Sequence, residues 1–225
     1  VWLDYIQRSL IRDGKLRKLI SLGIRGVTSN PSIFEKAVAG SGDYDQLIRM
    51  MSEAAASDTQ IYEALAHEDV GEAADLFLPV YEATGGADGF VSIEVNPKLA
   101  RDTAGTVEEA RRLFSGLSRP NVMIKVPATR EGIPAIRELI GSGINVNATL
   151  MFSESHYREV SEAYLAGLEI LRGRGGELRR VASVASFFVS RVDTAVDMAL
   201  EETGHRELQG RISIANARNV YRIFR

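Results

Sequence analysis

The chain contains no cysteine. It can therefore form no disulfide bond, hold no cysteine-ligated zinc and use no thiol as a nucleophile. It also lacks an apolar run long enough to cross a bilayer, and its first residues do not have the pattern of a signal peptide. These absences argue against a membrane protein and against a secreted disulfide scaffold, and we expect a cytoplasmic location with no membrane partner.

An excess of positive charge is also missing. The formal net charge is −3 at pH 7, whereas a nucleic-acid-binding domain is normally strongly basic. We therefore predict no nucleic-acid partner. A hydrophobic fraction of 45% and a charged fraction of 25% over 225 residues are typical of a globular protein with a sizeable core.

Histidine is scarce, and the glycine-rich turn of a dinucleotide-binding fold does not follow the first predicted strand. The three histidines, His67, His156 and His205, are scattered and show no metal-ligand spacing. The glycine-rich run 173–176 lacks the lysine of a phosphate-binding loop. We therefore predict no metal site and no cofactor, and interpret the histidines as structural or surface residues.

What the chain does contain is a repeated alternation of strand and helix patterns. Short β-rich runs occur at 1–6, 25–29, 90–95, 122–126, 144–150 and 181–188, and the segment 37–84 predicts two or more helices. Thr106 and Glu109 have the spacing of a capping box, Gly141 is a helix stop, and Ser153 precedes another helix. Such alternation implies parallel strands joined by right-handed crossovers.

Two α/β architectures fit this alternation: an open doubly wound sheet and a closed barrel. The barrel is favoured because nearly every predicted strand carries a polar residue toward its C-terminal end, where barrel active sites lie. A (β/α)8 TIM-type barrel needs eight strands in roughly 250 residues, and about six are present. We therefore expect 1–225 to be a single barrel domain that is truncated at both ends, with the last two βα units beyond Arg225.

Lys125 lies inside the apolar run Val-Met-Ile-Lys-Val-Pro. A parallel strand is covered on both faces. A lysine there must pair with an opposite charge, lose its proton, or take part in a reaction. A neutral lysine is a nucleophile that forms Schiff bases with carbonyl carbons. The alternative is a strand-end lysine whose stem extends to water.

Other predicted strands also carry polar residues near their ends. Asp4 is either a reactive carboxylate or a strand-end cap, and the segment from Thr28 through Asn30 reads as a turn in which Ser29 or Asn30 caps a helix that begins at Pro31. Glu94 in Val-Ser-Ile-Glu-Val needs a partner if it is buried.

The last two predicted strands add a polar face and a cation. Asn145, Asn147 and Thr149 alternate and so share one side of their strand. The sixth strand carries Ser186 and is followed by Arg191, whose guanidinium suits a phosphate. A Schiff-base amine, two carboxylates, hydroxyl and amide groups, and an arginine are together the parts of a class I aldol enzyme for phosphorylated sugars.

The sequence resembles the transaldolase family through several motifs with compatible spacing along nearly the whole chain. These are VWLDYIQRSL, GVTSNPSIF, DGFVSIEVNP, VMIKVPATREGIPAI, GINVNATLMFS and VASVASFFVSRVD. It is similar to the longer bacterial branch, some members of which are fused to glucose-6-phosphate isomerase. The resemblance implies an (α/β)8 barrel and is compatible with a homo-oligomer and with such a fusion in the full-length protein.

The resemblance implies roles for single residues. Lys125 would form the imine with the ketose C2 carbonyl, Asp4 would exchange the proton of the C4 hydroxyl, and Glu94 and Thr149 would hold the water that relays protons. The dihydroxyacetone unit would be bound by Thr28, Asn30, Asn147 and Ser186. Arg191 would bind the sugar phosphate, Phe188 would contribute an apolar surround, and a second phosphate-binding arginine would lie beyond Arg225.

The activity implied is a transferase reaction of the non-oxidative pentose phosphate pathway that requires no metal. Sedoheptulose 7-phosphate and glyceraldehyde 3-phosphate would give erythrose 4-phosphate and fructose 6-phosphate. The first alternative is an aldolase of the fructose-6-phosphate type, which releases dihydroxyacetone, although Phe188 lacks the hydroxyl that those aldolases carry there. The second is a non-catalytic barrel that serves as a binding module, against which the presence of Lys125, Asp4 and Glu94 argues.

Overall fold

The computed structural model describes all 225 residues, which divide into two units. The first contains Val1–Val95 and Glu109–Lys125, and the second contains Asn96–Glu108 and Val126–Arg225. No helix combines the length and the apolar character that a membrane crossing requires.

Six strands alternate with helices, which confirms the predicted α/β class. They are β1 (Trp2–Leu3), β2 (Gly26–Thr28), β3 (Phe90–Glu94), β4 (Val122–Pro127), β5 (Val146–Met151) and β6 (Ser183–Phe187). In the first unit β1 pairs with β2, β2 with β3 and β3 with β4; in the second β5 pairs with β6, and all these pairings are parallel. Each strand overlaps a segment predicted from the apolar pattern.

The chain contains ten α-helices. They are α1 (Arg8–Arg12), α2 (Lys15–Ser21), α3 (Pro31–Ala39), α4 (Asp45–Glu53), α5 (Asp58–Ala83), α6 (Thr103–Leu117), α7 (Gly132–Gly141), α8 (Glu154–Gly173), α9 (Ser190–Glu202) and α10 (Ile212–Phe224). Three of them, α3 to α5, occupy most of the segment in which two or more helices were predicted.

Most of the predicted helix ends are confirmed, and one is wrong. The side-chain oxygen of Asn30 accepts a hydrogen bond from the backbone N–H of Ile33 at 2.9 Å, and Ser153 caps α8 in the same way. However, α6 begins at Thr103 and not at Thr106. Asp102 accepts from the N–H of Gly105 at 3.0 Å and so caps the helix one turn earlier, while the hydroxyl of Thr106 donates to the carbonyl of Leu99.

A buried polar network joins α1 to α5 in the first unit. The guanidinium of Arg8 donates to the carboxylate of Asp69 at 2.8 Å, and the hydroxyl of Tyr44 donates to the other oxygen of Asp69 at 2.8 Å. That hydroxyl also accepts from the backbone N–H of Arg8, the first residue of α1. Because Arg8 follows β1 by only a few residues, the network fixes the connection that carries Asp4.

Candidate active site

Lys125 is buried in the first unit, with 7% of its surface exposed. It lies directly across from Glu94 in the register of β3 and β4, and its Nζ is 3.6 Å from the Oε2 of Glu94. Its ammonium group also donates to the backbone carbonyl of Ser29 at 3.3 Å. The amine is therefore held by a carboxylate and a carbonyl, and its stem does not lead it out to water.

The carboxylate of Glu94 has a further electrostatic neighbour in Tyr62 of α5. Burial is the main cause that raises the pKa of Tyr62 to about 12, and the negative charge of Glu94 raises it further. Tyr62 also packs edge-on against Phe34, with ring centroids 5.9 Å apart. A neutral phenol close to the Lys125–Glu94 pair was not predicted from the sequence, because an aromatic residue at helical spacing reads as core.

Asp4 and Thr28 meet at the ends of β1 and β2. The hydroxyl of Thr28 donates to the Oδ1 of Asp4 at 2.6 Å, and Asp4 is otherwise exposed. One oxygen of the carboxylate is thus oriented by Thr28, in a residue that is exposed to solvent. The side-chain oxygen of Asn30 already accepts the hydrogen bond that caps α3. The side-chain NH2 group of Asn30 can therefore donate to a ligand.

In the second unit, the polar face of β5 has one unsatisfied atom. The hydroxyl of Ser186 on β6 donates to the Oδ1 of Asn147 at 2.7 Å, and Asn145 accepts from the backbone N–H of Ala182. Thr149 is 1% exposed, and its hydroxyl has no hydrogen-bond partner. Because buried polar atoms are normally hydrogen-bonded, this hydroxyl is suited to hold a water or a ligand.

After Thr149, strand β5 has an irregular register at a strained residue, and an aromatic stack follows. Leu150 has φ +65°, a left-handed conformation that costs a non-glycine residue about 1 kcal/mol or more. Phe152 then stacks on Phe188, with centroids 5.4 Å apart and planes inclined by 21°. The guanidinium of Arg191 lies over the ring of Phe188, 4.6 Å from its centroid. The guanidinium of Arg191 forms no hydrogen bond or ion pair, so its donors are available to an anion.

Within each unit the structure thus brings several predicted residues into contact. The pairs are Glu94 with Lys125 and Asp4 with Thr28 in the first unit, and Asn147 with Ser186 and Phe188 with Arg191 in the second. The contributions of Ser29, Tyr62 and Phe152 were missed. No group of three or more histidine or acidic side chains is arranged to hold a metal ion.

A family model described as Transaldolase/Fructose-6-phosphate aldolase matches residues 1–225. The chain belongs to the transaldolase/fructose-6-phosphate aldolase family. The family prediction made from its sequence motifs is therefore confirmed.

Transaldolases of several bacteria are similar to the chain throughout. It is 50% identical to the transaldolase of Saccharopolyspora erythraea over 98% of its length, and 43% and 48% identical to those of Trichodesmium erythraeum and Thiobacillus denitrificans over its whole length. These matches cover 60%, 62% and 64% of the three relatives. The chain thus spans a little over three-fifths of the length of the family members that it matches.

Proposed function

We propose that the full-length protein is a transaldolase, which transfers a dihydroxyacetone unit between phosphorylated sugars through a Schiff base. The observation that carries this proposal is the buried amine of Lys125, 3.6 Å from the carboxylate of Glu94. A lysine in a fully buried strand has no evident structural use, whereas a carboxylate beside it supplies the proton transfers that imine formation requires.

In the first step the neutral amine of Lys125 attacks the C2 carbonyl of the ketose and gives a carbinolamine. Protonation of its hydroxyl, with Glu94 as a proton carrier, releases water and leaves an iminium at C2. Thr149 binds the water molecule that relays these protons, and its unsatisfied hydroxyl supports this role.

In the second step Asp4 takes the proton of the C4 hydroxyl, and the C3–C4 bond breaks to release the aldose. The electron pair left at C3 is delocalised into the iminium as an enamine. The enamine then attacks the acceptor aldehyde, Asp4 returns a proton to the new alkoxide, and hydrolysis of the iminium frees Lys125. The exposure of Asp4 and the hydrogen bond by which Thr28 orients its carboxylate support this role.

The remaining residues bind substrate in this proposal. The hydroxyls and amides of Thr28, Asn30, Asn147 and Ser186 bind the dihydroxyacetone unit. Arg191 binds the sugar phosphate, which its free guanidinium donors support, and Phe188 limits access of water to the intermediate. The eight-stranded barrel, the cytoplasmic location, the homo-oligomer and the fusion to glucose-6-phosphate isomerase are further proposals for the full-length protein.

The decisive experiment is borohydride trapping of the full-length protein with fructose 6-phosphate, followed by peptide mass spectrometry. We expect a reduced adduct on Lys125. An adduct on another lysine, or none, contradicts the proposal. An assay with and without an acceptor aldehyde separates the transferase from a fructose-6-phosphate aldolase, because only the aldolase turns over without an acceptor.

A further inference from the structure

The guanidinium of Arg191 is fixed by its surroundings although no side chain bonds to it. It lies over the ring of Phe188, and that ring also stacks on the ring of Phe152. The backbone N–H of Phe188 donates to the carbonyl of Met151 at 3.0 Å, which ties the two ring-bearing segments together. Stacking of this kind holds the plane of the guanidinium while leaving its edge donors free for a phosphate.

Helix α10 forms hydrogen bonds with both segments that carry this stack. The side-chain amide of Asn216 donates to the backbone carbonyl of Phe152 at 2.8 Å. The hydroxyl of Ser213, which is 1% exposed, donates to the carboxylate of Asp193 in the first turn of α9, two residues after Arg191. Ser213 and Asn216 are three positions apart and therefore lie on the same side of α10.

We propose that Phe152, Ser213 and Asn216 are positioning residues for Arg191, and that α10 acts as a two-point clamp on the phosphate-binding stack. This inference rests on the proposed function, in which Arg191 binds the sugar phosphate. None of the three residues needs to touch the substrate. Asn216 holds the segment that follows the strained Leu150, and Ser213 holds the helix that carries Arg191. A fork-shaped donor that is already oriented loses less freedom when it binds an anion.

The test uses the full-length protein with three variants, Asn216→Ala, Ser213→Ala and Phe152→Leu. Asn219→Ala is the matched control, because Asn219 is exposed on the same helix and its side chain forms no hydrogen bond with the segments that carry the stack. The probe is inorganic phosphate, whose dissociation constant is measured by calorimetry and as competitive inhibition. We expect each variant to weaken phosphate binding about three- to tenfold, the range of a lost cation–π or positioning contact, and the control to match the parent.

Substrate kinetics then separate positioning from a general structural role. The KM for fructose 6-phosphate should rise by the same factor as the phosphate dissociation constant, while kcat/KM for unphosphorylated fructose should stay unchanged. In an Arg191→Ala background the three substitutions should have no further effect on phosphate binding. If Asn216→Ala does not fold, Asn216→Asp keeps the shape of the side chain and removes only the donor.

The outcomes that overturn the clamp are specific. Unchanged phosphate affinity in folded variants contradicts it, as does an equal loss of kcat/KM for both ketoses. Absence of phosphate binding by the parent protein also contradicts it, because Arg191 on the stack would then not be an anion-binding group. Borohydride labelling of Lys125 reports imine formation independently, so labelling without phosphate binding overturns the clamp and leaves the Schiff-base chemistry standing.

Discussion

Lys125 and Glu94 face each other across β3 and β4, and their charged atoms are 3.6 Å apart. At this distance the two groups form an ion pair. The separation is longer than that of a hydrogen bond between charged groups. Both side chains are mostly buried, with 9% and 13% of their surfaces exposed. The carboxylate of Glu94 therefore compensates the positive charge of the buried ammonium group without fixing the direction of its N–H bonds. Through one water molecule it can exchange a proton with the nitrogen of Lys125.

Replacement of Lys125 tests the imine directly. Lys125→Arg keeps a positive charge beside Glu94, but a guanidinium cannot form the imine, so borohydride-dependent labelling should disappear. Mass spectrometry of the intact protein after trapping with fructose 6-phosphate measures this. Lys98→Arg, at an exposed lysine, should label like the parent. Persistent labelling of Lys125→Arg at another lysine would mean that the nucleophile has been misassigned.

Glu94→Gln should slow imine formation without moving its site. Glutamine fills the same space but accepts no proton, so the rate of trapping should fall by about two to four powers of ten, the usual contribution of a general acid–base group. Rapid-quench labelling with borohydride measures this rate, and Glu53→Gln, at the exposed end of α4, is the control. An unchanged trapping rate would reduce Glu94 to a counter-ion of Lys125.

The sequence predicted the strands, the family and the principal candidate residues, because those depend on local pattern. Lys125 and Glu94 could be singled out as candidates because a charged residue in an apolar strand is recognisable without any knowledge of the fold. Their pairing followed only from the register between β3 and β4.

Contacts between residues that are distant in the sequence could not be predicted from local patterns. Arg8 is buried against Asp69, which is 61 residues away, and no local pattern in the sequence indicates this contact. Phe152 followed the polar face of β5 and gave no sign that it would stack on Phe188. Thr106 was mistaken for a helix start because its spacing from Glu109 matches a capping box, whereas Asp102 caps the helix one turn earlier.

Asp4→Ala should separate cleavage from imine formation. The variant should still be labelled at Lys125, but turnover should fall by about two to four powers of ten because no base takes the C4 proton. Thr28→Val removes the 2.6 Å hydrogen bond that orients Asp4 and should give a smaller loss, about tenfold. Single-turnover release of the aldose is the measurement. Near-normal turnover of Asp4→Ala would leave Asp4 as a strand-end cap.

Arg8→Met should destabilise the protein, because it leaves the fully buried carboxylate of Asp69 without its cation. Loss of one partner from a buried ion pair costs about 3–5 kcal/mol, which equilibrium unfolding in urea measures. The matched control is Arg12→Met on the same helix. Arg12 bonds to Glu68 and Glu72 but is 47% exposed, so its loss should cost less than about 1 kcal/mol.

The cost of Arg8→Met should also depend on pH. Burial holds the pKa of Asp69 above its ordinary value, while the hydrogen bonds from Arg8 and Tyr44 lower it. Removing Arg8 therefore raises the folded-state pKa of Asp69 further above the unfolded value of about 3.9. A carboxyl group whose pKa is raised by folding loses stability as the pH rises through that pKa, since the unfolded state ionises first. The difference in unfolding free energy between parent and variant should thus be smallest near pH 4 and grow toward pH 7, and a difference that is constant with pH would show that Asp69 stays neutral in the parent as well.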